Sequence, residues 1–325
     1  MTLADIARLA GVSRTTASYV LNGQARARRI SEATVARVLE VARAHDYRID
    51  AQAAALRGGE SRTLGLIVPD LENGSYARLA KRLEHGARCQ GYQLWIAGSD
   101  DDPATERKVA LSLRAQRCDA LIVASSLPAD DTFYADLLGE GVPVIAVDRP
   151  LDPARFVSVV TNGRAAGEAL TRSVMGTPDE RLVWFDAVPT LSISAERRRG
   201  FLDACGERSR HRCLSGERYE REAGAALMRT LIDEEGLPNA VVTASYTLME
   251  GLLDALLERG PLPEALRLAT FGDDRLLDFL PCRVNSLPQD HDRVAERSLA
   301  LALAAVRGDY RPGLEVIERR LKRRR

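Results

Sequence analysis

Apolar positions along the first fifty residues recur at helical spacing in three short runs. In TLADIARLAGVSRTTASYVLNG, residues 2–23, Ile6, Leu9 and Ala10 mark one amphipathic turn of helix, and Ala17, Val20 and Leu21 mark another. Ala10, Gly11 and Val12 join them in a tight bend, and Ser13 can cap a second helix running from Arg14 to about Leu21. A third helix is signalled by Ser31 as its cap. Ile30 and Val35 can staple its start, Glu32 suits its positive end, and Val35, Val38, Leu39 and Ala42 form its apolar stripe. The pattern predicts a small all-α helix-turn-helix headpiece. Its second helix would present Arg14, Thr15 and Tyr19, groups that can meet base edges and phosphates in a major groove.

From Thr63 onward the period changes. Short apolar runs at 64–68, 94–97, 120–124 and 144–147 read as strands, with helical stretches near 75–89, 104–116 and 130–139 between them. Strands at 182–185, 240–244 and 268–271 repeat the scheme with helices near 195–205, 220–234 and 246–259. Nearly continuous apolar strands are buried on both faces, so the core should be α/β with doubly wound parallel sheets, folded as two lobes around a cleft. The expected division is a headpiece at 1–48, a hinge helix and linker at 49–61, and a core at 62–325. Within the core the first lobe takes about 62–161 and 290–306, and the second about 162–289 and 307–325.

In such sheets ligands lie beyond the carboxyl ends of the strands. Asp70 and Asn73, Ser125 and Ser126, Asp148 and Arg149, Ser245, and Asp273 and Asp274 all stand there. Each alone reads as a cap or loop residue; together, acceptors and a guanidinium fork suit a polyol or sugar. The linker DAQAAALRGGESR favours a short helix from Asp50 that ends at Gly58 and Gly59. It reads as a plain linker or as a hinge helix whose Leu56 enters a minor groove.

Charge sharpens the division. The chain balances 46 basic against 46 acidic residues, yet residues 1–59 hold nine Arg against five Asp or Glu. A basic headpiece on an acidic remainder suits a phosphate backbone as partner. The hydrophobic content of 45% supports substantial cores. No signal-peptide or membrane-length apolar run is evident, which points to the cytoplasm. Five cysteines without paired spacing read as buried reduced thiols, and four scattered histidines suggest neither metal site nor triad, so neither enzyme chemistry nor a cofactor is expected. The acidic run Ser99 to Asp102 reads as a solvated loop leading into a helix.

The order of headpiece, Ala-rich hinge and two-lobed core resembles the lactose and galactose repressor (LacI/GalR) family over nearly the whole chain. IARLAGVSRTTASYVLNG fits that family's headpiece and AAALRGG its hinge. LIVPDLENGSYARLA, GYQLWIAGSDDDP and LATFGDDRLLDFL are similar to its fructose-responsive members. The resemblance implies a periplasmic-binding-protein-like core and a transcriptional regulator, repressor or activator, of fructose and central carbon genes. It also implies operator DNA as partner and fructose 1-phosphate as effector. It assigns base reading to Arg14, Thr15 and Tyr19, phosphate holding to Asn22, and the minor-groove wedge to Leu56. The effector positions it implies are Asn73, Ser75, Tyr76, Asp148, Arg149, Arg197, Ser245, Asp273 and Gln289. Ser245 departs from the family's common Asn and Ser75 from its frequent aromatic, which argues against a neutral pyranose. For a phosphate, the Gly74 and Ser75 amides with Arg149 or Arg197 are the expected anion donors.

Two headpieces reading a palindrome require a homodimer, possibly a higher oligomer. A transport binding protein or a phosphosugar enzyme are the competing readings; the headpiece opposes the first, and a binding cleft explains Asp148 and Asp273 without turnover. The terminal ERRLKRRR, with six basic residues in its last seven, reads as a solvated, partly disordered tail.

Overall fold

The computed structural model describes residues 1–47, 61–207 and 210–324 and divides into two compact units, residues 1–61 and 62–325. The first contains α1 (Leu3–Leu9), α2 (Arg14–Leu21) and α3 (Glu32–Ala44). Thr2 and Asp5 form a reciprocal capping box on α1, and the Ser13 and Ser31 side chains accept from the Thr16 and Thr34 amides at the starts of α2 and α3. Gly11 adopts φ +62° at the bend, where a side chain would be strained. Ile6, Ala7, Ala10, Ala17, Val20 and Val38 make the core. Leu9, expected on the buried stripe, is instead 45% exposed, because α1 ends there and the inward face is already filled by Ile6 and Ala10. The expected hinge, with Leu56, lies outside the described residues.

The second unit holds two parallel sheets. The first lobe contains β1 (Thr63–Val68), α4 (Gly74–Cys89), β2 (Gln93–Gly98), α5 (Pro103–Ala115), β3 (Ala120–Val123), α6 (Phe133–Gly139), β4 (Val144–Val147) and β5 (Val157–Thr161). The second lobe contains α7 (Gly163–Arg172), β6 (Leu182–Ala187), α8 (Ser192–Cys205), β7 (His211–Gly216), α9 (Arg221–Glu235), β8 (Ala240–Thr243), α10 (Tyr246–Leu257), β9 (Arg267–Phe271), a 3₁₀ turn at Arg275–Phe279 and β10 (Val284–Leu287). The chain then returns through α11 (His291–Val306), which packs on α4, and β11 (Gly313–Ile317). Strand orders are β11-β5-β4-β3-β1-β2 and β10-β9-β8-β6-β7, so each strand sequence reverses direction around the middle of its sheet and leaves a crevice there.

Three sequence expectations need correction. Residues 313–317, expected in the second lobe, pair in parallel with β5 and close the edge of the first sheet. The following residues do not trail into solvent: Lys322 exchanges backbone hydrogen bonds with Ser286, and the Arg324 guanidinium is buried on Asp273 and Asp278. Acidic partners on the second lobe turn a run of like charges into a docked segment. The cysteines are free, but Cys89 is exposed rather than buried. No helix among the described residues is long and apolar enough to cross a membrane.

Helices α7 and α8 pack closely at Gly167 and Gly200. A Cβ on Gly200 would intrude on the Arg164 carbonyl oxygen, and one on Gly167 would lie 2.6 Å from the Arg197 carbonyl oxygen. Backbone cannot yield as a side chain can. Gly200→Ala should therefore lower stability by about 1–3 kcal/mol in denaturant titration. Gly74→Ala, whose Cβ would enter open space, should change it by less than about 0.5 kcal/mol.

Candidate functional site

On the headpiece, Arg14 and Thr15 are exposed in the first turn of α2. Tyr19 is half-buried one turn on, with the Arg28 guanidinium 4.7 Å above its ring. Arg28 was not singled out from sequence; stacked there, it adds a cation to the same face. Asn22 caps the end of α2, its Nδ2 donating to the Ser18 carbonyl and hydroxyl oxygens at 2.9 and 3.2 Å. Its amide is thus occupied within its own helix.

Between the lobes of the second unit lies a cleft of about 560 Å³. The structure brings all nine expected effector residues to its lining. Asn73 caps α4 through the Ser75 amide at 3.0 Å, which uses one of the two backbone donors expected for an anion and leaves Gly74. Ser75 Oγ donates to Gln289 Oε1 at 3.3 Å and lies 3.0 Å from His291 Nε2. Tyr76 OH donates to Asp148 Oδ2 at 2.9 Å; burial, then the Asp148 charge, push the phenol well above its usual range. Asp148 itself sits at φ +64°, a strained position that holds its carboxylate at the end of β4.

Three buried guanidiniums line the cleft. Arg149 is held by Asp101, 2.5 Å from Nη1 and 3.2 Å from Nη2, and by Ser126 Oγ at 3.0 Å. Burial works against the Asp101 carboxylate, but Arg149 outweighs it and keeps that carboxyl below its usual range. The Ser99 to Asp102 run is therefore no solvated loop: Ser99 is fully buried, Asp102 caps α5 and Asp101 belongs to the cleft. Arg197, from the second lobe, donates to the Ala244 carbonyl at 2.8 Å, stacks 4.6 Å over Phe271 and comes within 3.8 Å of Asp148. Its Nε and Asp148 Oδ1 are buried without a hydrogen-bond partner among the described residues.

The third guanidinium, Arg319, belongs to the segment read as a tail. It donates to Thr161 Oγ1, the Leu287 carbonyl and Gln289 Oε1, its amide donates to Asn162 Oδ1, and it lies 5.7 Å from the Phe271 ring. Burial, then the charge of Arg197, push it down to about 9. The other strand-end residues do more local work. Ser245 caps α10 on the Leu248 amide, and Asp273 is held by Ser286, Lys322 and Arg324. Arg78 reaches across the cleft mouth to the Asp273 carbonyl and to Asp274. Only the position of Arg319 at the third crossing of chain between the lobes could have flagged it in sequence.

A basic helix-turn-helix and a polar cleft between doubly wound lobes define a ligand-responsive DNA-binding regulator. Residues 2–50 match the lacI family of bacterial regulatory proteins, and residues 61–269 match the periplasmic binding protein and LacI-family sugar-binding domain; the chain belongs to the LacI family. It is 50% identical to the fructose operon regulatory protein of Vibrio cholerae over 99% of both chains. It is 44% identical to the catabolite repressor/activator of Escherichia coli K12, over all of this chain and 98% of that one. The crystal structure of the Cra dual regulator from Pseudomonas putida in complex with fructose 1-phosphate superposes with a TM-score of 0.78. That match is at 48% identity, over 81% of this chain and 98% of the other. These relatives are regulators, not enzymes.

His291 offers a check on the geometry. Burial, then the cations Arg319 and Arg78, push it down to about 4 from an ordinary 6.5, against the opposing pull of Asp148 and Asp292. Between those values the unfolded chain binds the proton and the folded protein does not, so stability should fall as pH drops from about 6.5 to 4. Thermal denaturation across that range should show a shallower loss for His291→Asn; equal slopes would remove His291 from the explanation.

Proposed function

We propose that this protein represses or activates fructose and central carbon genes by binding operator DNA, and that fructose 1-phosphate bound between the lobes releases it. The observation that carries the effector reading is the set of three buried guanidiniums in the cleft lining. Arg149, Arg197 and Arg319 are buried there, paired with Asp101 and Asp148, and Arg197 Nε and Asp148 Oδ1 have no hydrogen-bond partner among the described residues. A buried cation pushed down by a second cation asks for an anion, and unfilled carboxylate lone pairs ask for a hydroxyl. A sugar phosphate brings both. The ligand named for the Pseudomonas putida structure is of that chemistry.

In this reading Arg149, Arg197 and Arg319 take the phosphate, while Asp148, Asn73, Ser75, Ser245, Asp273 and Gln289 receive or orient hydroxyl groups. Tyr76 holds Asp148. On DNA, Arg14, Thr15 and Tyr19 read base edges, with Asn22 near the phosphates and Leu56 in the minor groove. Acting on DNA places the protein in the cytoplasm. A palindromic operator calls for a homodimer, and Leu276 and Phe279, 65% and 70% exposed beside each other, suit burial in an assembly.

Fructose 1-phosphate should release operator DNA in a gel-shift titration, and operator should weaken effector binding by the same factor. An unchanged shift would reject the effector reading. Arg197→Ala should weaken the sugar phosphate by at least about tenfold in calorimetry, the loss of one charge-assisted contact. Arg14→Ala should cost about 1–3 kcal/mol of operator affinity at fixed salt and relax discrimination between operator and unrelated DNA. A variant that still discriminates as before would take Arg14 out of base reading.

A further inference from the structure

Behind the cleft, the first lobe buries a carboxylate that direct ligand binding does not use. Glu106, in the first turn of α5, is fully buried. Three donors converge on it: Ser125 Oγ at 2.6 Å and Tyr134 OH at 2.7 Å on Oε1, and the Ser126 amide at 2.7 Å on Oε2. Burial and this carboxylate push the Tyr134 phenol well up, as expected of a hydroxyl that donates to an anion. A charge kept out of water needs its lone pairs filled, and here they are filled by groups of a single turn and one tyrosine.

That turn leads to the cleft. The hydroxyl of Ser126, whose amide Glu106 holds, donates to Asp101 Oδ1 at 2.8 Å and accepts from Arg149 Nη1 at 3.0 Å. The amide of Leu127 donates back to Ser125 Oγ at 3.1 Å, closing the turn on itself. Glu106 therefore grips the backbone and one hydroxyl of the segment against which the Arg149 fork is set. Asp101 alone could pair with Arg149 in several orientations; Asp101 and a fixed Ser126 hydroxyl together leave one.

We propose that Glu106 is a positioning residue for Arg149: by pinning the Ser125–Ser126 turn, it sets the direction in which that guanidinium meets an anion in the cleft. The role rests on the phosphate reading of the cleft. Glu106→Gln keeps the shape but loses the charge: its single oxygen can still accept from the Ser126 amide only if the Ser125 and Tyr134 hydroxyls turn to accept from its NH₂, so the charge-assisted grip on the turn weakens without an empty space forming.

Calorimetry with fructose 1-phosphate on the full chain tests this as a cycle with Arg149→Lys. Glu106→Gln should weaken binding about tenfold in the unaltered protein, the cost of misaligning one charge-assisted contact, and less than about twofold in the Arg149→Lys background. Equal weakening in both backgrounds, or a folded Glu106→Gln protein with unaltered affinity, would overturn the role. Should Glu106→Gln fail to fold, Ser126→Ala removes the hydroxyl link from outside the buried site and must show the same dependence on Arg149; additive losses overturn the proposal equally. Tyr134→Phe, which removes a Glu106 partner but no link to Ser126, should lower the melting temperature and leave affinity unaltered. Absence of binding by the unaltered protein would reject the effector reading itself, and this role with it.

Discussion

Three stretches of chain cross between the lobes, and Arg319, on one of them, is hydrogen-bonded to the other two. It reaches Thr161 and Asn162 on the first, Leu287 and Gln289 on the second, and is itself on the third. A guanidinium has five donors in a rigid plane, so it can tie several backbone directions together where a lysine could not. The cost is a buried cation with Arg197 close enough to push it down further, offset in part by the Phe271 ring that both approach. The geometry of the cleft floor depends on this knot.

Around it, each lobe contributes a different kind of support. The first lobe fixes its groups by hydrogen-bond relays, from Glu106 through Ser126 to Arg149 and from Tyr76 to Asp148. The second fixes them by packing and by capture of the chain end. Arg197 rides on α8, whose approach to α7 is set by two glycines, and Asp273 is clamped by Lys322 and Arg324. Residues that bind ligand need rotamers locked by such neighbours, because loosely held charges lose their advantage to water.

Most helices and the central strands were legible because their apolar periods are strong: α2 begins and ends at the expected residues, and the central strands differ from expectation by a residue or two at most ends, whereas α7 and α11 were not among the expected helices. The strands overlooked have a physical reason. β7 and β11 are edge strands with mixed exposure, β5 is interrupted by the buried Ser158, and β10 by Asn285 and Ser286, so none shows a continuous apolar run. The cleft residues were found at strand ends and by resemblance. Asp101 and Arg319 were not, since each lies in a run of like charge whose partners are distant in sequence: Asp101 meets Arg149, and Arg319 meets carbonyls from Leu287 and a side chain from Gln289. A charge run reads as solvated until the fold supplies its partners, a charge for Asp101 and neutral acceptors for Arg319.

Why a ligand should move such an assembly follows from where the unsatisfied atoms sit. Asp148 Oδ1 belongs to the first lobe and Arg197 Nε to the second, and both are buried without a hydrogen-bond partner among the described residues. A ligand can shift an equilibrium between lobe arrangements only by binding one of them better. A ligand hydroxyl that donates to Asp148 Oδ1 and a phosphate oxygen that accepts from Arg197 Nε would fill both atoms at once only near this separation. Apart, each lobe would offer the ligand half of its contacts and leave the rest to water. The Arg78 pair with Asp274 at the mouth closes the same gap from outside, where half-exposure makes it weak and screened by salt. The deep contacts, not the rim pair, are therefore where a ligand would act on the lobes.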